Sequence, residues 1–195
     1  RSPLNTEIVI PAEKYFAGWS PGGWIGNGSN RYNLSDIDYL SEWDDMGIAY
    51  ADKFSGEYWG VINHENAEGV FRVSENKETK GLKLWTWGKK NIDNNMYDFS
   101  NGGADNYIEL WAGVSNQFFS SSTISSNSQK NWKESYCPTV KMSAISNMNT
   151  YGAVNLIWQA NKDQILYELN TFNSVGDYFV EMIISGNGIN KEITY

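Results

Sequence analysis

Two side chains of this sequence have the chemistry to move a proton near neutral pH: Glu109 and the single histidine, His64. Glu109 stands in the run Tyr107-Ile108-Glu109-Leu110-Trp111. In an extended chain, alternation sends Tyr107, Glu109 and Trp111 to one side and Ile108 and Leu110 to the other. A carboxylate flanked by two aromatic rings is partly desolvated, which suits a general base. The competing reading is a surface glutamate on a solvated sheet face. His64 closes the run Tyr58-Trp59-Gly60-Val61-Ile62-Asn63, in which the even positions share a face. Imidazole can hand a proton to a ring oxygen, but a lone histidine at a strand end is more often a structural hydrogen-bonder. A glycosidase would need a second carboxylate; Glu65, Glu68 and Asp105 are available, and nothing in the spacing selects among them.

Binding surfaces are suggested by the aromatics. They make up 15% of the chain, with 9 Trp and 12 Tyr, more than a core requires, so some should line a surface or cleft. Their flat apolar faces and polar edges suit the C–H faces of sugar rings. In 82–88, Lys83, Trp85 and Trp87 share one face, while Leu82, Leu84 and Thr86 share the other. If this strand neighbours that of Glu109, the two indoles form a platform beside the carboxylate. Enclosure of both between packed sheets is the competing reading. Trp19 and Trp24 fall in a polar, Gly- and Asn-rich stretch, 18–33, read as a long functional loop.

The elements that must position these groups read as strands. Candidates are 6–10, 48–54, 58–63, 70–74, 82–87, 107–112, 131–142, 154–159, 164–171 and 178–185, separated by Gly-, Asn- and Ser-rich turns. No amphipathic stretch is long enough for a helix beyond a short turn within 36–45, so the expected fold is an all-β antiparallel sandwich. Ser-rich 120–128 reads as a loop at a sheet end. Near 138–143 the aromatics thin out. A boundary is expected there, between a sandwich region at 1–140 and a small Ig-like β-unit at 141–195 that runs to Tyr195 as if cut.

Charge and composition exclude several classes. A net charge of −8 leaves no basic footprint for nucleic acid and disfavours a polyanionic substrate. One cysteine and one histidine rule out an internal disulfide and a Cys- or His-cluster metal site. Asp36 and Asp38 lack the spacing of a calcium loop. There is no Gly-rich phosphate loop, no cofactor is implied, and no apolar run is long enough for a membrane-spanning helix. A polar Asn-, Ser- and Gly-rich surface suits an extracellular or periplasmic protein, although the lone Cys137 fits a cytosolic one equally well.

Several stretches together resemble one family. They are Gly60-Val61-Ile62-Asn63-His64-Glu65, Glu68-Gly69-Val70-Phe71-Arg72-Val73, Gly81-Leu82-Lys83-Leu84-Trp85-Thr86-Trp87-Gly88, Tyr107-Ile108-Glu109-Leu110-Trp111-Ala112-Gly113 and Trp132-Lys133-Glu134-Ser135-Tyr136. In this order, over about 45–140, they resemble a bacterial family of uncharacterised domains that is related to galactose mutarotase and often precedes tetratricopeptide repeats. The resemblance implies part of a mutarotase-like supersandwich, with a neighbouring domain in a longer chain. It also implies that Glu109 is the base taking the anomeric proton and His64 the acid protonating the ring oxygen. The second histidine of such epimerases and their sugar-binding aspartate have no counterpart here, and the interval from His64 to Glu109 is shorter than theirs. Three functions follow as expectations: an epimerase-like or other carbohydrate-active enzyme, a non-catalytic carbohydrate-binding module using Trp85, Trp87, Trp111, Tyr107, Trp19 and Trp24, or a structural domain of a multidomain protein.

Overall fold

A computed structural model describes residues 5–19, 32–33, 39–43, 47–79, 81–86, 108–115, 121–162, 164–172, 181–186 and 189–194. Trp24, Trp87 and Tyr107 lie outside the described residues. Among the described residues there are strands, one short 3-10 turn at Leu40–Glu42, and no α-helix. The protein is all-β, and every strand pair among the described residues is antiparallel.

Two sheets form the body. The first takes strands β1 (Thr6–Val9), β5 (Tyr58–Asn63), β6 (Glu68–Ser74) and β9 (Glu134–Val140), in that order. The second runs β3 (Tyr32–Asn33), β2 (Ala12–Trp19), β4 (Gly47–Phe54), β7 (Lys83–Thr86) and β8 (Ile108–Trp111). Alternation gives each strand two chemically different sides, and the apolar sides meet. Ile8, Ile10 and Trp59 from the first sheet pack with Ala49, Leu82 and Leu84 from the second. Trp43, fully enclosed, fills the same cluster, and Ile108 and Leu110 press against it. The inward placement expected for Ile108, Leu110, Leu82 and Leu84 is what the fold shows.

The first sheet also uses its other face. Tyr58, Ile62, Phe71, Val73 and Cys137 pack there with Met142, Met148 and Ala153. Met148 and Ala153 belong to a third sheet of β10 (Asn147–Met148), β11 (Gly152–Gln159) and β12 (Gln164–Thr171). The change of character near 138–143 therefore falls at the end of β9, and the cluster beneath it draws side chains from both sides of that point. A hairpin of β13 (Glu181–Gly186) and β14 (Ile189–Thr194) completes the described chain.

Strand β2 falls outside the expected strands, as do the shorter β3, β10 and β14. Trp19 ends strand β2, opposite Ile48 of β4, instead of standing in a loop. Pro11 reads as a stop, yet it lies between β1 and β2, where its missing N–H is not needed for pairing. A register shift between Ala17 and Trp19 breaks the alternation that would reveal the strand.

Candidate functional site

The face of the five-stranded sheet turned away from the shared core carries the candidate site. In the β7–β8 ladder Trp85 stands directly opposite Glu109, and Lys83 opposite Trp111. Directly opposed residues of an antiparallel pair point to the same side, about 5 Å apart at Cβ. Two indoles, a carboxylate and an ammonium therefore alternate over four positions. The rows continue into β4, where Ile48 is opposite Trp85 and Tyr50 opposite Lys83. Ile48, Tyr50 and Lys83 are buried, whereas Trp85, Glu109 and Trp111 are half-buried, so the face is covered at β4 and at Lys83 and more accessible at Trp85 and along β8. Trp85, Glu109 and Trp111 are also each engaged in a further contact within the chain.

Lys83 lies on this face, as alternation along the strand predicts, although the sequence assigns it no role in the site. Its ammonium donates to the carbonyl oxygens of Gly81 at 2.9 Å and Ser115 at 3.0 Å. Burial pushes the Lys83 pKa down from its ordinary value, because desolvation disfavours the charged form. The available signal is its place two residues before Trp85 on the same side of the strand.

His64 is placed elsewhere. It sits in the turn that leaves β5, with Nε2 at 2.7 Å from Glu7 Oε2 and its ring 5.7 Å from that of Tyr39. Glu7 is opposite Ile62, a side chain in the cluster facing the third sheet. His64 thus belongs to the first sheet, while Glu109 projects from the second sheet, away from the core the two sheets share. The structure does not bring the expected acid and base together. Trp85 and Trp111 join Glu109, and Trp19 stands in the same cross-sheet row at the backbone level.

Among the described residues no group of three or more His, Cys, Asp or Glu side chains could hold a metal ion. No described helix is long and apolar enough to cross a membrane.

The fold and site define an antiparallel β-sandwich domain with an aromatic and charged face on one sheet. The chain belongs to the family described as "Domain of unknown function (DUF5107)", which matches residues 36–146, more than half its length. No curated protein matches it. Among solved structures it is similar to a TPR-domain containing protein from Parabacteroides distasonis ATCC 8503, with 12% identity and a TM-score of 0.49; the alignment covers 84% of this chain. The chain spans about a quarter of that protein, 27% of its length.

Proposed function

We propose that this protein is a carbohydrate-binding β-domain that holds a neutral sugar against the β7–β8 face. The observation that carries the proposal is the cross-strand pairing of Trp85 with Glu109 and of Lys83 with Trp111. Indole faces complement the apolar C–H faces of a sugar ring, and a carboxylate accepts hydrogen bonds from its hydroxyls. By the resemblance to galactose mutarotases, Glu109 would stand at the anomeric centre. However, epimerase chemistry also needs a general acid beside the same ring, and His64 is bound to Glu7 on the other sheet. Binding without turnover is therefore the better-supported reading. A polar surface rich in Asn, Ser and Gly suits work outside the cytoplasm, on the glycans of a cell surface or surroundings.

Titration with neutral mono- and oligosaccharides, followed by tryptophan fluorescence, tests the proposal. A saturable change is expected for at least one of them. Trp85→Ala should weaken that binding about tenfold or more, as removal of a buried aromatic anchor does. Glu109→Gln should weaken it roughly ten- to a hundredfold, since a hydrogen bond to a charged group contributes about 1.5–3 kcal/mol. Polarimetry of freshly dissolved glucose or galactose should show only the uncatalysed rate. Anomer exchange accelerated by the protein and lost in Glu109→Gln would restore the enzyme reading. Wild-type affinity in both variants would sink the proposed site.

A further inference from the structure

A second aromatic and charged cluster stands on the first sheet, at its β9 edge. Trp132 precedes β9, and Glu134 and Tyr136 lie two residues apart on one side of it. The Glu134 carboxylate gathers all three neighbours. Its Oε1 accepts from Trp132 Nε1 at 3.0 Å and from Arg72 Nη2 at 2.9 Å, and its Oε2 accepts from the Tyr136 hydroxyl at 3.2 Å. Both aromatic rings are thus fastened by their polar edges, yet they remain 47% and 66% exposed. Two large aromatics held in fixed orientation at the surface contribute little to a core.

Arg72 explains the fixed orientation. It is 1% exposed, lies over the Trp59 ring at 5.5 Å, and spends only Nη2, on Glu134 and on Thr79 at 2.8 Å. Its Nε and Nη1 are buried with no hydrogen-bond partner among the described residues, and the same holds for the indole N–H of Trp59. Burying a guanidinium with donors unspent is a poor route to stability, because desolvation offsets the Coulombic gain. Its gain is in geometry, since the carboxylate cannot swing away from the two rings. The Arg72 hydrogen bond also holds the Glu134 carboxyl below its ordinary pKa, against an opposing push from burial. The group is therefore an ionised acceptor, and among the described residues three of its roughly four acceptor positions are filled, which leaves one on Oε2.

We propose that Trp132, Glu134 and Tyr136, fastened by Arg72, form a second saccharide-binding surface, separate from the β7–β8 face. The ring faces would take the C–H face of a neutral sugar, and the open position on Glu134 one of its hydroxyls. The charge of Arg72 is spent within the cluster and is shielded from solvent, so an anionic uronate would meet Glu134 unopposed and is disfavoured. This surface stands on its own observations and does not depend on the β7–β8 site.

Affinity electrophoresis on neutral polysaccharides and calorimetry with neutral hexasaccharides test it, with oligogalacturonate as the anionic probe. Four proteins are compared: wild type, Trp132→Ala/Tyr136→Ala, Tyr136→Phe, and Trp85→Ala. The double variant, whose two side chains are exposed, should fold normally and lose about tenfold or more in affinity, or one of two binding events. Tyr136→Phe keeps the ring face and should stay within about threefold of wild type. Oligogalacturonate should not bind at this surface. Binding lost in the double variant but kept in Trp85→Ala supports this surface whatever happens at the other. Wild-type behaviour of the double variant towards every neutral probe overturns it, and loss confined to Trp85→Ala leaves only the β7–β8 site standing. No binding by any of the four proteins overturns both.

Discussion

Glu134→Ala is expected to destabilise the protein by about 3 kcal/mol, far more than a typical surface substitution. The reason is the partner left behind. Arg72 is almost wholly enclosed, and Glu134 is the carboxylate bound to it. Removing one member of a buried ion pair typically costs about 3–5 kcal/mol, because the other charge stays buried and uncompensated. Glu134 retains some contact with water, which places the expected value at the low end of that range. Replacing both residues, as Arg72→Met/Glu134→Leu, should cost less than Glu134→Ala alone, since neither charge then remains. Urea unfolding at pH 7 measures the three proteins side by side, and a cost below about 0.5 kcal/mol for Glu134→Ala would refute the argument.

The same pair gives a pH dependence of definite sign. The folded Glu134 carboxyl lies below its ordinary value, first because of the Arg72 hydrogen bond. The unfolded chain therefore binds the proton more readily across that interval, and stability rises with pH there. The contribution is complete above about pH 4.3, the ordinary glutamate value, and is lost as pH falls from there through the lowered one. Wild type should lose stability more steeply than the Arg72→Met/Glu134→Leu variant over this acid range. Parallel curves would show that the pair does not act this way.

How much of this was legible in the sequence depended on the range of the interaction involved. Period-two alternation alone separates Glu109 and Trp111 from Ile108 and Leu110, and Trp85 from Leu84, and the structure keeps each on its assigned side. It cannot say which strands lie side by side. The β7–β8 pairing, which makes Trp85 and Glu109 direct neighbours, joins strands separated by more than twenty residues. The partner of His64 is 57 residues away, and that of Arg72 is 62. No local pattern marks Glu7 or Glu134 as those partners, so the histidine invited an acid–base reading that its surroundings do not support. Strand β2 was missed for a different reason. Its mixed composition and its register shift beside Trp19 hide a strand that its pairing with β3 and β4 defines.

Two glycines should prove as sensitive as any core position, for reasons visible only in the packed sheets. Gly60 in β5 lies opposite Phe71 of β6. A Cβ there would run into the Val70 carbonyl and the Phe71 ring and backbone, and neither strand can retreat without opening the cluster that Phe71 anchors. Gly60→Ala should destabilise by about 3 kcal/mol, the upper end for overpacking. Gly81 lies against the chain that leaves β8. Its N–H donates to the Gly113 carbonyl at 3.0 Å, and a Cβ on it would meet the Ser115 carbonyl that also binds Lys83. Gly81→Ala should therefore cost about 2 kcal/mol and, by displacing the Lys83 anchor, also weaken saccharide binding at the β7–β8 face. Gly60→Ala, on the other sheet, should spare that binding in the molecules that remain folded. Gly113 is the control, because a Cβ there meets nothing within 4 Å; Gly113→Ala should stay within about 0.5 kcal/mol of wild type. Chemical denaturation of the three alanine variants, with saccharide titration of each, separates these outcomes. Equal stability of Gly60→Ala and Gly113→Ala would mean that β5 and β6 are not as closely apposed as the structure places them.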